Sequence, residues 1–369
     1  NFQEASKSSK IPKRIEEINP TILKNSNINN LDPIEMNKTK NSNFNNTNVI
    51  ITSRVLTIKM LKEIIENIYT SKAEYDNKSK ENKLPKETME QHMYSFLNQK
   101  YGLKNLIIEW ATSIINGIKQ YSNEDSEICL FGKILRNEID EDARLVLLKL
   151  KISVVDIIKS LLSAKYNRKN TIEVMEMTKE REKGFLTLEE WKTVIYYIYD
   201  EEDAVFLENK ILEYVKSKIE STEFKLTSKK MTREEMSRIL TIKDDSKILF
   251  KEFIKIVMDF QIKLRERYLK NFIIIFKHVD KDNDGIINES EFFEIINSLN
   301  IFGDDNEAHT DRLLNIADPY NYQQITFSEC INLFSNEIIV EQGEKGEEIS
   351  TSLLDKISSE ENLQSKINI

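Results

Sequence analysis

Residues 280–291, DKDNDGIINESE, constrain this chain more than any other stretch. Carboxylates alternate at Asp280, Asp282 and Asp284, Gly285 comes sixth, and Glu291 closes the run. Before it, Phe272, Ile275, Phe276 and Val279 share one helical face; after it, Phe292, Ile295, Ile296 and Leu299 mirror them. The pattern predicts two apolar-faced helices joined by an acidic bend.

A twelve-residue calcium loop needs oxygens at its first, third, fifth, seventh, ninth and twelfth places, with glycine sixth for the turn. Here Asp280, Asp282 and Asp284 supply the first three, and Ile286 offers its backbone carbonyl. Asn288 stands ninth, acting directly or through water. Glu291 is twelfth, where two carboxylate oxygens favour Ca²⁺ over octahedral Mg²⁺. With its flanking helices, the segment resembles the EF-hands of the calmodulin superfamily.

That resemblance implies a paired loop joined by a short two-stranded contact at position eight. Residues 318–329, DPYNYQQITFSE, keep Asp318 first, Ile325 eighth and Glu329 twelfth. Ile325 should therefore lie across from Ile287. Tyr320, Tyr322 and Gln323 replace the third, fifth and sixth residues, so this loop is expected to be metal-free. Weaker echoes occur at 179–190, with Gly184, Leu186 and Glu190, and at 241–252, with Ile248 and Glu252. Both carry Lys or Arg where ligands belong. Residues 165–340 thus resemble a four-hand unit with one working site and an insertion around 205–235.

Eight glycines and five prolines in 369 residues are too few for a fold rich in tight turns. Long tracts of Leu, Ile, Lys and Glu point to an all-α protein. We expect a low-complexity tail at 1–53, a helical domain at 54–164 and a degenerate loop pair at 165–262. The pair with the acidic loop spans 263–340, and an acidic tail spans 341–369. The first segment, with stretches such as NSNFNNTN, cannot bury enough apolar surface to fold alone. Residues 1–59 carry nine Lys/Arg against five Asp/Glu, or +4, leaving −13 for the rest of a chain whose net charge is −9. A basic tail on an acidic body suits an acidic partner and argues against nucleic-acid binding.

In the helical domain, Leu56, Met60, Leu61, Ile64, Ile65 and Ile68 mark a first helix. A charged linker is expected at about 71–86, then two helices meeting at Tyr101-Gly102, and a long helix capped by Asp140 or Asp142. Trp110, Ile114, Ile115 and Ile118 read as core. The stretch MEQHMYSFLNQKYGLKNLIIEW, followed by LFGKILRNEIDEDAR, resembles a helical module of protist flagellar and axonemal proteins. That resemblance implies a structural role on the microtubule doublet or its attached complexes, and a place in the cytoskeleton of a cilium.

No phosphate-binding loop, dinucleotide fingerprint, nucleophile elbow or HExxH occurs, and His92, His278 and His309 are scattered, so an enzyme is not expected. Cys129 and Cys330 are the two cysteines, which suits a reducing intracellular compartment rather than a disulfide framework. No apolar run approaches the length of a membrane span, and none at the start of the sequence reads as a secretory leader. Two functions fit: a calcium-binding adaptor in a cytoskeletal assembly, or a free calcium sensor acting on a target enzyme. Sensor grooves are rich in Met, and residues 265–340 contain none, which favours the adaptor.

Overall fold

A computed structural model describes residues 54–228, 247–299 and 306–334 of the chain. The tails at 1–53 and 341–369, the helix expected to enter the 241–252 loop and the end of the 205–235 insertion lie outside these residues. The described part is overwhelmingly helical, as the sequence predicts.

The first helices start and stop where local chemistry directs. α1 (Ile58–Asn82) opens on Thr57, whose hydroxyl accepts from the Met60 N–H, and closes at Lys83 in the left-handed region. α2 (Met89–Tyr101) begins with a reciprocal cap between Thr88 and Gln91, and Gly102 ends it at φ 65°. Glycine takes that conformation without a Cβ penalty. α3 (Lys104–Tyr121) follows, then α4 (Ser126–Leu135), where the N–H groups of Glu127 and Ile128 donate to the Asp125 carboxylate. Each such cap contributes about 1 kcal/mol. α5 (Ala143–Lys165) leads to α6 (Thr171–Lys183), α7 (Leu188–Ile198) and α8 (Glu201–Ser228). After the 30-residue α9 (Phe250–Val279) come α10 (Glu289–Leu299), α11 (Asn306–Ala317) and a further helical stretch at 327–334.

Three expectations for the helical domain need correction. The charged stretch after residue 70 is not a linker: α1 runs through it to Asn82. Lys72 there is buried, with its ammonium 2.7 Å from Asp76 and 3.3 Å from Glu141. Asp142 occupies the cap position of α5 but makes no side-chain cap bond, and Asp140 is buried against Arg265 at 2.8 Å instead. Of the apolar stripe on α3, Ile114 and Ile118 are fully buried, whereas Ile115 and Trp110 are half-buried. Trp110 stacks on Tyr101 with ring centroids 5.2 Å apart, and the Arg54 guanidinium lies over it.

Two short antiparallel ribbons organise the remainder. β1 (Phe185–Leu186) pairs with β2 (Ile248–Leu249), setting Leu186 opposite Ile248. β3 (Ile286–Ile287) pairs with β4 (Ile325–Thr326), setting Ile287 opposite Ile325 as the sequence predicts. All four of these residues are buried. Each ribbon is extended alike: Phe250 N–H donates to the Gly184 carbonyl, and Phe327 N–H to the Gly285 carbonyl, both at 3.0 Å.

The apolar interior forms two clusters. One runs from Leu56 to Ile262 without a break near residue 164, so α1–α8 and the first half of α9 share it. Trp191, Phe131 and Phe253 are among its fully buried side chains. The second runs from Leu269 to Phe334 and is built on Phe272, Phe276, Phe292, Phe327 and Phe334, with Cys330 buried among them. Helix α9 carries both. No described helix is long and apolar enough to cross a membrane.

Candidate metal centre

Between α9 and β3 the backbone folds around one carboxylate. Asp280 caps the last turn of α9, its N–H donating to the Phe276 carbonyl at 2.8 Å. Its Oδ1 accepts from the Asp284 N–H at 3.3 Å and its Oδ2 from the Gly285 N–H at 2.9 Å. Asp284 Oδ1 in turn accepts from the Ile286 N–H at 2.9 Å. These bonds require a sharp reversal, which Asn283 at φ 55° and Gly285 at φ 77° supply.

The turn gathers the charges. Oxygens of Asp280, Asp282 and Asp284 lie within 4.8 Å of one another. Hard carboxylate oxygens at that spacing suit a divalent cation. Ile286 sits in β3 at the loop's seventh place. Asn288 and Glu291 cap α10 reciprocally: Glu291 N–H donates to Asn288 Oδ1 at 3.0 Å, and Asn288 N–H to Glu291 Oε2 at 2.9 Å. Glu291 thus stands outside the three-aspartate cluster, and no ion pair engages it among the described residues.

The electrostatics match the crowding. Asp280 is 4% exposed, and its carboxyl is pushed up to about 7. Burial is the main cause, followed by the hydrogen bond to Asp282 and the negative charge of Asp284, against the stabilising Gly285 N–H. Negative charge is costly here until something positive arrives. A further carboxylate comes from the helical block: Glu90 on α2 is also pushed up, by burial and by Asp284. Asn137, just past α4, places its side chain directly against Gly285. Neither residue belongs to the loop motif. Asn137 has a left-handed φ of 50°, which Asn tolerates better than most residues.

The other loops diverge in distinct ways. Residues 318–329 keep the backbone of 280–291. Asn321 and Gln323 have φ of 55° and 58°. Asp318 accepts from the N–H groups of Tyr322 at 2.8 Å and Gln323 at 2.7 Å. Glu329 Oε2 accepts from the Thr326 N–H at 3.0 Å. Residues 179–190 do not keep it. There α6 continues through Lys183, so the first five loop positions are helical, and Arg181 reaches the buried Glu190 at 2.8 Å. Glu252 of the 241–252 segment is 3.0 Å from the Lys218 ammonium. The three stretches therefore depart from 280–291 in different structural ways. His278 is exposed, and His92 is buried between Glu87 and Ser71, each at 3.0 Å.

Comparisons with protein-family models, with curated proteins and with solved structures gave no match.

Proposed function

We propose that the chain is a calcium-binding adaptor of the EF-hand type, with one working site made by Asp280, Asp282, Asp284, the Ile286 carbonyl, Asn288 and Glu291. The observation that carries this reading is the convergence of three aspartate oxygens within 4.8 Å, on a turn held by Asn283 and Gly285. A bound Ca²⁺ would supply positive charge to a buried, mutually repelling set of carboxylates. The chain's own part is to hold that set: Asp280 anchors the turn through two backbone N–H groups, and the Ile287–Ile325 pair ties it to a second loop. Glu291, free of any described counter-ion, is the ligand left available at the twelfth place.

The adaptor reading is supported by the character of the second cluster, which is closed around Phe and Ile and has no Met with which to repack around varied targets. The partner in this proposal is a protein assembly of the cytoskeleton, with the ciliary axoneme indicated by the resemblance of residues 87–145. Titration calorimetry of the full chain tests the site. One Ca²⁺ per chain is expected, and Glu291→Gln should remove most of the binding. Two ions per chain would overturn the reading of 318–329. A large calcium-induced rise in hydrophobic-dye fluorescence would favour the free sensor over the adaptor. Fractionation tests the location: an adaptor stays with a salt-resistant cytoskeletal pellet.

A further inference from the structure

The 318–329 loop lacks carboxylates at its third and fifth places but keeps the shape of its sister, and its replaced positions are engaged. Tyr320 and Tyr322 stand where the sister loop has Asp282 and Asp284. The Lys83 ammonium lies 5.4 Å from the centroid of the Tyr320 ring. The Tyr322 hydroxyl donates to the Lys83 carbonyl, across 239 residues of sequence. At the twelfth place, Glu329 Oε2 holds the Thr326 N–H, while its Oε1 meets the Lys86 ammonium at 2.9 Å. Glu329 is largely shielded, with its side chain 15% exposed.

Of these contacts, only the twelfth-place cap has a counterpart in the loop 280–291. Glu291 Oε2 also caps its own helix through a backbone N–H at 2.9 Å, and no described cation engages its carboxylate. In 318–329 an ammonium meets the corresponding group. An aromatic ring attracts a cation through its face, so a tyrosine that cannot ligate calcium can still hold a lysine. At the third place a ring that faces a lysine stands where the sister loop has a carboxylate, and at the fifth a hydroxyl holds the same lysine by its carbonyl.

We infer that loop 318–329 is a binding site for a basic chain segment, filled in cis by Lys83–Lys86, and that this fixed cation docks the helical block on the C-terminal pair whether or not calcium is present. The segment is well placed for it. Lys83 ends α1 in a left-handed turn, Pro85 follows two residues later, and Thr88 starts α2. Its backbone is therefore fixed at both ends. A second tie lies beside the first, where the Glu141 N–H donates to Ser328 Oγ at 3.1 Å.

Hydrogen exchange on the full chain, followed by mass spectrometry in EDTA and again in calcium, tests this. Lys86→Met and Tyr322→Phe should each speed exchange in peptides covering 83–88 and 318–329 by about two- to fivefold, the range for a partly exposed pair. The acceleration should be the same with and without calcium, and Lys86→Arg should restore protection. Unchanged rates in both variants would overturn the inference, as would acceleration confined to EDTA. If Lys86→Met loosens the whole chain, the milder Tyr322→Phe decides by the same criteria. Because the EDTA measurement involves no ion, a failure of 280–291 to bind calcium would leave this result standing.

Discussion

Asn137 fills the space that a side chain at Gly285 would need: a Cβ built on the glycine would lie 2.1 Å from Asn137 Nδ2. The acidic loop is therefore pressed against the end of α4, and Gly285 answers two demands at once, a φ of 77° and this close approach. Gly285→Ala should destabilise the chain by about 1–3 kcal/mol through the strained backbone alone, with the clash adding to it. Asn137→Gly in the same chain should recover the part due to the clash. Urea denaturation of the single and double variants measures both, and a double variant no better than Gly285→Ala would mean that Asn137 simply moves aside.

The raised carboxyl of Asp280 gives the metal-free chain a definite pH response. Its folded value, about 7, exceeds that of an unfolded aspartate. The stability contributed by this group is full below about pH 4 and is lost as the pH climbs through the folded value. Calcium must displace the same proton, so below neutrality affinity should fall by up to about tenfold per pH unit. Calorimetry at pH 6 in two buffers of different ionisation enthalpy should detect proton release. No release there would contradict the assignment.

Asp140 and Arg265 join the helical block to α9 at 2.8 Å, with Asp140 1% exposed. Its second oxygen, Oδ2, has no hydrogen-bond partner among the described residues. Arg265→Met should strand a buried carboxylate and cost about 3–5 kcal/mol. Asp140→Asn, which removes the charge itself, should cost less. Equal losses in thermal or urea unfolding would show that lost packing, rather than the stranded charge, is responsible.

Ile325 backs the loop proposed to hold the ion. Ile325→Ala should cost about 2–5 kcal/mol, as buried isoleucine truncations do. It should also weaken calcium binding, because its partner Ile287 lies between the proposed ligands Ile286 and Asn288. Calorimetry after a urea melt separates the two effects. A destabilised chain with unchanged calcium affinity would mean that the ribbon does not support the site.

The loop, its flanking helices and the Ile287–Ile325 register were legible because each is local or follows from a fixed spacing. Alternating aspartates need no tertiary context to be recognised, and apolar positions three and four apart announce a helix. What escaped was set by distant partners. The charges after residue 70 look like a solvated linker until Glu141, 69 positions away, joins Asp76 in surrounding Lys72. In KEREKG the helix propensity of Lys, Glu and Arg competes with the loop spacing, and the propensity wins: α6 continues to Lys183. Glu90, Asn137 and Lys86 meet the C-terminal loops only once the chain has folded.

Helix α9 gives these local events a mechanical setting. Its 30 residues contain neither glycine nor proline and span about 45 Å at the usual rise per residue. One end starts beside the Leu186–Ile248 ribbon; the other ends on Asp280. A rod with no built-in joint cannot rotate at one end and stay still at the other. Any tightening of the turn at Asp280 must therefore be absorbed by bending along the shaft or passed as torsion to Phe253 and its neighbours, which makes the first cluster the bearing in which the acidic loop's lever is seated.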